Sequence, residues 1–151
     1  MSTVVNDRAE LPVSMLFEVA MRRVRDELYA LSDDRYPGLR SRHYRLLALL
    51  PAEGERVSRL TEDSGLTKQA LAQALAPLEA GGFVEVLPDP TDRRARLVRL
   101  SPLGREANQA VRDRLGDVER EWASRVGPDR WAQARAVLAD LALAGPPGRA
   151  D

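Results

Sequence analysis

Residues 89–104 read Asp-Pro-Thr-Asp-Arg-Arg-Ala-Arg-Leu-Val-Arg-Leu-Ser-Pro-Leu-Gly and contain a turn, an alternating segment and the start of a helix. Aspartates are typical of turns because their side chains accept hydrogen bonds from nearby backbone N–H groups or brace an arginine. Residues 94–100 alternate as a half-exposed strand does, and residues 83–87 alternate before the turn. Ser101-Pro102 is a favoured helix start. The region therefore predicts a β-hairpin that leads directly into a helix.

Two short helices around a turn are predicted immediately before this hairpin. Residues 57–63 form the first helix and residues 64–66 the turn. The second helix begins at Lys68, with Thr67 as its N-cap, and ends at Gly81-Gly82. Pro77 lies inside this second helix and removes one of its backbone hydrogen bonds, so we expect a bend or a looser final turn there.

Longer amphipathic helices flank this central region. Apolar residues at steps of three and four predict a helix over residues 12–31, which Tyr36-Pro37-Gly38 ends, and a short helix over residues 41–50 follows. After Ser101 an apolar stripe continues to Val126, a length of about 36 Å, and residues 131–141 form a last helix. So small a chain cannot bury so long a stripe, and the first and last helices are expected to pack against a second copy.

The predicted fold is mainly α with a small β-hairpin wing. A winged helix-turn-helix lobe over residues 39–100 lies between dimerisation helices over residues 11–35 and 101–143, within a single domain of residues 1–151. Residues 1–10 are expected to form a loose arm, and residues 145–148 (Gly-Pro-Pro-Gly) a frayed tail.

The formal net charge is zero, but the positive charge is concentrated in two blocks. Residues 35–59 carry six arginines against Glu53 and Glu55, and residues 89–105 carry five arginines against Asp89 and Asp92. Local charge governs contact with phosphates, so these blocks indicate a nucleic-acid partner. No apolar run reaches the length of a membrane span and no signal pattern begins the chain, which predicts a cytoplasmic protein.

Enzymatic functions are not favoured by the sequence. The chain has one histidine and no cysteine, and it contains neither a metalloprotease motif nor a P-loop. We therefore expect no catalytic residue, no metal and no cofactor. The single histidine, His43, is expected to be a partly buried structural residue, with ligand sensing as the alternative. Trp122 and Trp131 are expected in the dimer core.

The second helix of a helix-turn-helix enters the major groove, where its first turn contacts base edges. Glutamine can bond adenine, lysine can donate to guanine, and threonine can contact the thymine methyl. The predicted base-reading residues are Thr67, Lys68, Gln69 and Gln73. Because residues 58–81 are slightly acidic, affinity is expected to depend on the wing and on the arginines of the first positive block.

The sequence from Asp89 to Gly104 closely resembles the wing signature of the MarR family of multiple-antibiotic-resistance-type regulators. Leu66-Thr67, Leu75 and residues 78–84 resemble that family's recognition helix and its exit into the wing, and the order of elements agrees over about residues 11–143. The resemblance implies a homodimer that binds a palindromic double-stranded DNA site, usually as a repressor. It also implies release by a small phenolic or anionic effector that binds between the dimerisation helices and the lobe.

By position, the resemblance makes Arg94 the residue that enters the minor groove and Asp92 its bracing partner. The predicted wing contacts are Asp92, Arg93, Arg94 and Arg96. The predicted contacts with the DNA backbone are Arg40, Arg42, Arg56, Ser58 and Arg59, with Arg45 as a further source of positive charge. The predicted lining of an effector pocket is Met15, Val19, His43 and Tyr44.

One alternative from another class remains open at this point. The acidic recognition segment and Pro77 also fit a winged-helix module that binds proteins and has lost DNA binding. The arginine-rich wing favours the regulator.

Overall fold

The computed structural model describes residues 11–143. The predicted N-terminal arm and the predicted tail lie outside these described residues. The helices are α1 (Val13–Arg35), α2 (Ser41–Leu49), α3 (Val57–Ser64), α4 (Lys68–Ala80), α5 (Pro102–Val126) and α6 (Pro128–Leu143), and the strands are β1 (Glu55–Arg56), β2 (Val84–Pro88) and β3 (Arg96–Leu100). The mainly α winged helix-turn-helix fold predicted from the sequence is confirmed. No helix among the described residues is long and apolar enough to cross a membrane.

The helix-turn-helix is formed by α3 and α4. Helix α3 ends at Ser64, and its C-cap is Gly65, whose φ of 67° is the left-handed conformation that glycine adopts without steric cost. Helix α4 buries Leu71, Leu75 and Leu78. It continues beyond Pro77, and the backbone N–H of Gly81 donates to the Pro77 carbonyl at 3.0 Å. The helix therefore does not finish at the proline but continues to Ala80.

The wing belongs to a sheet of three strands rather than the two that the sequence predicts. Strand β3 is central and pairs antiparallel with β2, from Val84 opposite Leu100 to Pro88 opposite Arg96. On its other side it pairs with β1, with Glu55 opposite Val98. A strand of two residues has no periodicity, and only its long-range pairing defines it. We use the name wing for the β2–β3 hairpin, residues 84–100.

The end of the wing packs closely against the first turn of α5. The Ser101 hydroxyl donates to the Gly82 carbonyl at 2.5 Å and accepts from the Gly104 backbone N–H at 3.0 Å. A Cβ atom at Gly104 would lie 1.9 Å from the Phe83 carbonyl oxygen. The glycine that closes the 89–104 segment is therefore required by the contact between this helix turn and the backbone of Phe83.

The substitution Gly104→Ala is expected to lower the free energy of unfolding by about 3 kcal/mol, because overpacking against backbone atoms cannot be relieved by a rotamer change. Urea denaturation measures the effect. Gly116→Ala is the matched control, since Gly116 also lies within α5 but its nearest foreign atom is the flexible tip of Arg120, at 3.3 Å. The control is expected to be neutral or stabilising by up to about 1 kcal/mol. Equal effects at the two positions would contradict the close-packing explanation.

The C-terminal half of α1 is anchored by polar contacts that the sequence pattern does not reveal. Ser32 is fully buried, and its hydroxyl lies 2.9 Å from the Tyr44 hydroxyl. At the end of the helix, Arg35 and the hydroxyl of Tyr36 both donate to Glu106 of α5. These contacts hold α1 as far as Arg35, beyond the last residue of the apolar pattern, Leu31, and directly before the predicted break at Tyr36-Pro37-Gly38.

The chain divides into two compact units, one ending at Arg114 and the other beginning at Leu115. In the first, large apolar residues of the N-terminal half of α1 are exposed, including Val13, Leu16, Phe17 and Val19. In the second, Trp122 and Trp131 form an edge-to-face pair with ring centroids 5.4 Å apart. The apolar residues Val137, Leu138 and Leu141 of α6 are exposed there.

Candidate nucleic-acid interface

The first two turns of α4 present the predicted base-reading residues, with Gln73 one turn beyond Gln69. Thr67 is the N-cap, and its hydroxyl oxygen accepts from the backbone N–H of Ala70 at 3.1 Å, which leaves its methyl group for contact. Lys68, Gln69 and Gln73 are exposed. Gln69 and Gln73 are four residues apart and so share one helix face. The structure thus places all four residues at the beginning of the recognition helix, with polar side chains directed to solvent.

The wing tip is a turn held by Asp92. Its Oδ1 accepts from the backbone N–H of Arg94 at 3.0 Å, and its carbonyl accepts from the N–H of Ala95 at 2.9 Å. Asp92 therefore shapes the backbone that carries Arg94, whereas the resemblance implied a bracing partner for that arginine. Arg93 and Arg94 are exposed, and within residues 11–143 their guanidinium groups have no described hydrogen bond or ion pair.

The remaining wing arginines are bound to the hairpin itself. Arg96 donates to the Val86 carbonyl at 3.1 Å. Arg99 forms an ion pair with Glu85 at 2.6 Å. Both stabilise the hairpin across its two strands, which leaves Arg93 and Arg94 as the wing arginines available to a partner molecule.

Arg56, a predicted contact with the DNA backbone, has a half-exposed side chain whose guanidinium already has partners within the protein. Its Nε lies 2.6 Å from Asp89 Oδ2 and its Nη2 lies 3.1 Å from Thr91 Oγ1. Asp89 Oδ1 accepts from both the backbone N–H and the hydroxyl of Thr91, each at 2.7 Å. We call these three residues the Arg56–Asp89–Thr91 cluster. Thr91 first, and then Arg56, lower the pKa of Asp89 to about 2.

The other arginines of the first positive block are also engaged, to differing degrees. Arg45 donates to the Ser64 carbonyl at the end of α3, at 3.3 Å. Arg40 donates to the Leu39 carbonyl and lies over the Tyr29 ring. Arg59 has only long contacts, 3.5 Å to Glu62 and 3.6 Å to Asp63, both exposed. Exposed pairs of this kind contribute little, so Arg59 can exchange them for a phosphate. Ser58, also predicted to contact the backbone, is exposed.

His43 is more deeply buried than expected and occupies a fixed place at the start of α2. Its Nδ1 accepts from the backbone N–H of Arg40 at 2.9 Å. Its Nε2 faces a second donor, the Nε–H of Arg42, at 3.2 Å. Because both ring nitrogens face N–H donors, the doubly protonated, charged imidazolium is disfavoured. Burial, followed by the charges of Arg42 and Arg40, lowers the pKa of His43 below 6.5. The residue is therefore a neutral structural group.

This environment predicts the direction of the pH dependence of stability. When the folded-state pKa of a histidine is lowered, protons bind preferentially to the unfolded chain. The free energy of unfolding is therefore expected to fall as pH decreases below 6.5 toward the folded-state pKa. Urea denaturation between about pH 7.5 and 5 measures this, since an unperturbed histidine titrates near 6.5. His43→Gln is expected to flatten the curve in this interval, and an unchanged slope would contradict the prediction.

The single chain does not assemble the predicted effector pocket. Met15 and Val19 are exposed on α1, whereas His43 and Tyr44 are almost fully buried, each with its polar group hydrogen-bonded. Two cavities among residues 11–143 have other linings. One, of about 240 Å³, lies beside the recognition helix and is lined by Arg42, Leu66 and Gln73 among others. Another, of about 260 Å³, is lined by residues around Asn108 of α5.

Comparison with known proteins supports the fold assignment. No protein-family model and no curated protein matches the chain. Among solved structures it is similar to MarR, with 20% identity over 91% of this chain and 93% of that one and a TM-score of 0.77. It is also similar to the transcriptional repressor CouR bound to a 23-mer DNA duplex. The identity is 20% over 94% of this chain and 99% of that one, with a TM-score of 0.74. A third similar structure is a MarR-family transcriptional regulator from Rhodococcus sp. RHA1. It has 23% identity over 94% of this chain and 97% of that one, with a TM-score of 0.70.

These similarities extend over almost the whole length of each protein, so they include the helices on both sides of the lobe as well as the lobe itself. The chain therefore has the fold of the MarR-type winged helix-turn-helix regulators. At this level of identity the likeness establishes the fold, and the function must be argued from the residues of the site.

Proposed function

We propose that the chain is a MarR-family transcriptional regulator that binds double-stranded DNA sequence-specifically, as a homodimer in the cytoplasm. One observation carries the proposal: two adjacent elements of a helix-turn-helix fold present polar groups that have no described partner inside residues 11–143. These elements are the first two turns of α4, with Lys68, Gln69 and Gln73, and the wing tip, with Arg93 and Arg94. Such a helix suits the major groove, and an arginine on a narrow hairpin suits the minor groove.

The distribution of internal ion pairs supports this assignment. Arg56, Arg96 and Arg99 are bound within the wing and its base. Within the wing, Arg93 and Arg94 are the two arginines whose guanidinium groups have no described partner among residues 11–143. The likeness of the fold to CouR, a repressor solved on DNA, agrees with the same function.

The exposed apolar residues of α1 and α6 support a homodimer. Each of these helices leaves several large side chains in water, which is unfavourable by about 25 cal/mol per Å². A second copy is the commonest way to cover such surfaces, and two-fold symmetry gives a palindromic site. The two recognition helices would then enter successive major grooves about 34 Å apart.

We further propose that the regulator is a repressor, released from DNA by a small phenolic or anionic molecule. This part of the proposal rests on the resemblance of the 89–104 segment to the MarR-family wing. The dimer is expected to build the effector site, because Met15 and Val19 are exposed on a helix that would pack against the partner.

Selection from a random duplex library tests the proposed function and identifies the preferred DNA site in the same experiment. The protein is expected to enrich a palindromic sequence whose half-sites have centres about ten base pairs apart. Recovery of unrelated sequences, together with binding of a protein partner, would favour the winged-helix interaction module instead.

The recognition helix is expected to determine base preference. Gln69→Ala and Gln73→Ala should each cost about 1 to 3 kcal/mol at one position of each half-site and leave other positions unaffected. Competition binding with duplexes substituted at single base pairs measures this, and the salt dependence should remain that of the wild type. Gln133→Ala, which makes the same change at an exposed position of α6, is the control. A uniform loss of affinity across all sequences would argue against base reading.

A further inference from the structure

The Arg56–Asp89–Thr91 cluster connects two parts of the lobe that must act together. Arg56 is the residue immediately before α3, the first helix of the helix-turn-helix, and it also belongs to strand β1. Asp89 and Thr91 lie on the opposite edge of the sheet, where the chain leaves β2 for the wing tip. The guanidinium of Arg56 therefore extends from the start of α3 to the turn that carries Arg94.

The cluster is held from several directions. Asp89 is almost fully buried, with its side chain only 6% exposed, although it belongs to a surface hairpin. Its two carboxylate oxygens accept three hydrogen bonds, and Thr91 Oγ1 accepts a fourth from Arg56. The backbone N–H of Asp89 donates to the Ala95 carbonyl at 3.0 Å. A carboxylate with this many charge-assisted bonds leaves its turn little freedom to move.

Hydrogen bonds within the tip itself are few by comparison. Beyond the cluster, the described bonds of the turn are those from the N–H groups of Arg94 and Ala95 to Asp92. Those two bonds fix the shape of the turn but not its position relative to α3 and α4. The position therefore depends on the sheet and on the cluster.

We propose that Arg56, Asp89 and Thr91 are positioning residues, which hold the wing tip at the distance from the recognition helix that lets both reach their grooves at once. The proposal rests on the proposed DNA-binding function. It gives Arg56 a role other than the phosphate contact that the sequence predicts. It also predicts that Asp89, an acidic residue in a region that faces DNA, increases affinity although its charge repels phosphate.

The test is a double-mutant cycle between Asp89→Asn and Arg94→Ala, measured by fluorescence anisotropy on the duplex that the wild type prefers. Asp89→Asn removes one negative charge, so simple electrostatics predicts tighter binding, whereas the proposal predicts about tenfold weaker binding, comparable to the loss of one good contact. In the Asp89→Asn background, Arg94→Ala is expected to cause a much smaller loss than in the wild type, because a displaced tip no longer delivers the arginine.

Glu85→Gln is the matched control, since it removes an acidic partner of arginine on the same hairpin, where the pair with Arg99 is exposed. It is expected to leave the effect of Arg94→Ala unchanged. Thr91→Val is a milder second variant that keeps the Asp89 charge and should shift affinity in the same direction as Asp89→Asn. Hydrogen exchange should show faster exchange of the wing amides in both cluster variants, with the rate in α4 unchanged.

The outcomes separate the two proposals. A wild type that prefers no duplex would refute the proposed function, and the positioning role would fail with it. A wild type that binds specifically, with additive losses from Asp89→Asn and Arg94→Ala or with tighter binding by Asp89→Asn, would overturn the positioning role alone. If Asp89→Asn does not fold, Thr91→Val in the same cycle decides the question by the same criterion.

Discussion

Replacing Arg94 by alanine is expected to weaken DNA binding about 100-fold, the largest effect of any single side chain at the interface. Each dimer carries two wings, so the substitution removes two minor-groove contacts, and about 1.4 kcal/mol from each would give this factor. Arg94 is exposed at a turn whose backbone Asp92 fixes at 3.0 Å, so the truncation should not disturb the fold. The slope of the logarithm of affinity against the logarithm of salt concentration should also become shallower, by about 0.9 for each phosphate that the protein no longer neutralises.

Arg112→Ala is the control for this measurement. Arg112 is an exposed arginine of α5, and its removal changes the net charge by the same amount without touching the wing. Anisotropy titrations at several salt concentrations should show a small effect. If Arg94→Ala bound DNA as the wild type does, the wing would have no part in the mechanism.

Introducing a charge at Leu138 is expected to dissociate the dimer and thereby to abolish most of the DNA affinity. Leu138 lies on the apolar stripe of α6 with Trp131, Ala134 and Leu141, and it is 40% exposed in the single chain. Leu138→Glu would place an unpaired carboxylate in the proposed interface, at a cost of several kcal/mol. A monomer binds one half-site without the gain from a linked second site, so affinity for the full site should fall by a factor of about 10² to 10⁴.

Ala136→Glu provides the matched control, because Ala136 is exposed on the opposite face of the same helix and receives the same charge. Analytical ultracentrifugation should find twice the chain mass of 16.7 kDa for the wild type and for Ala136→Glu, and the monomer mass for Leu138→Glu. A Leu138→Glu protein that remained dimeric would show that α6 does not form the interface.

The sequence is sufficient to predict the elements that depend on local patterns. The turn chemistry of Asp89 to Asp92, the Thr67 cap and the Ser101-Pro102 helix start act within a few residues, so they can be identified without the structure. The role of Gly104 is not predictable in the same way. Only glycine fits at this position because the Phe83 backbone lies against it, and Phe83 is distant from Gly104 along the chain.

The features that the sequence does not predict depend on contacts between distant segments. Strand β1 exists only because it pairs with β3. The position of Arg56 in a positive block predicts a contact with DNA, but its actual partners are more than thirty residues away along the chain. The sequence also predicts His43 and Tyr44 beside Met15 and Val19, but burial separates the two pairs. Net charge by segment cannot reveal which arginines are already paired.

The internal contacts of the arginines change how many positive charges each block can offer to DNA. The first block has fewer available cations than its composition suggests, because Arg45 and Arg56 serve the fold. The wing tip, in contrast, leaves both of its arginines free of described partners within residues 11–143. We therefore expect most of the affinity to come from Arg93, Arg94 and the first two turns of α4.

The proposed DNA-binding function is tested most directly by titrating the full-length protein against the DNA upstream of its own gene and against a shuffled duplex, between about 50 and 200 mM salt. We expect dimeric binding to the first duplex with a preference of at least about 10³ over the second, and an affinity that falls steeply as salt increases. Equal binding to both duplexes, or an affinity that does not change with salt, would contradict the assignment of this chain as a sequence-specific DNA-binding regulator.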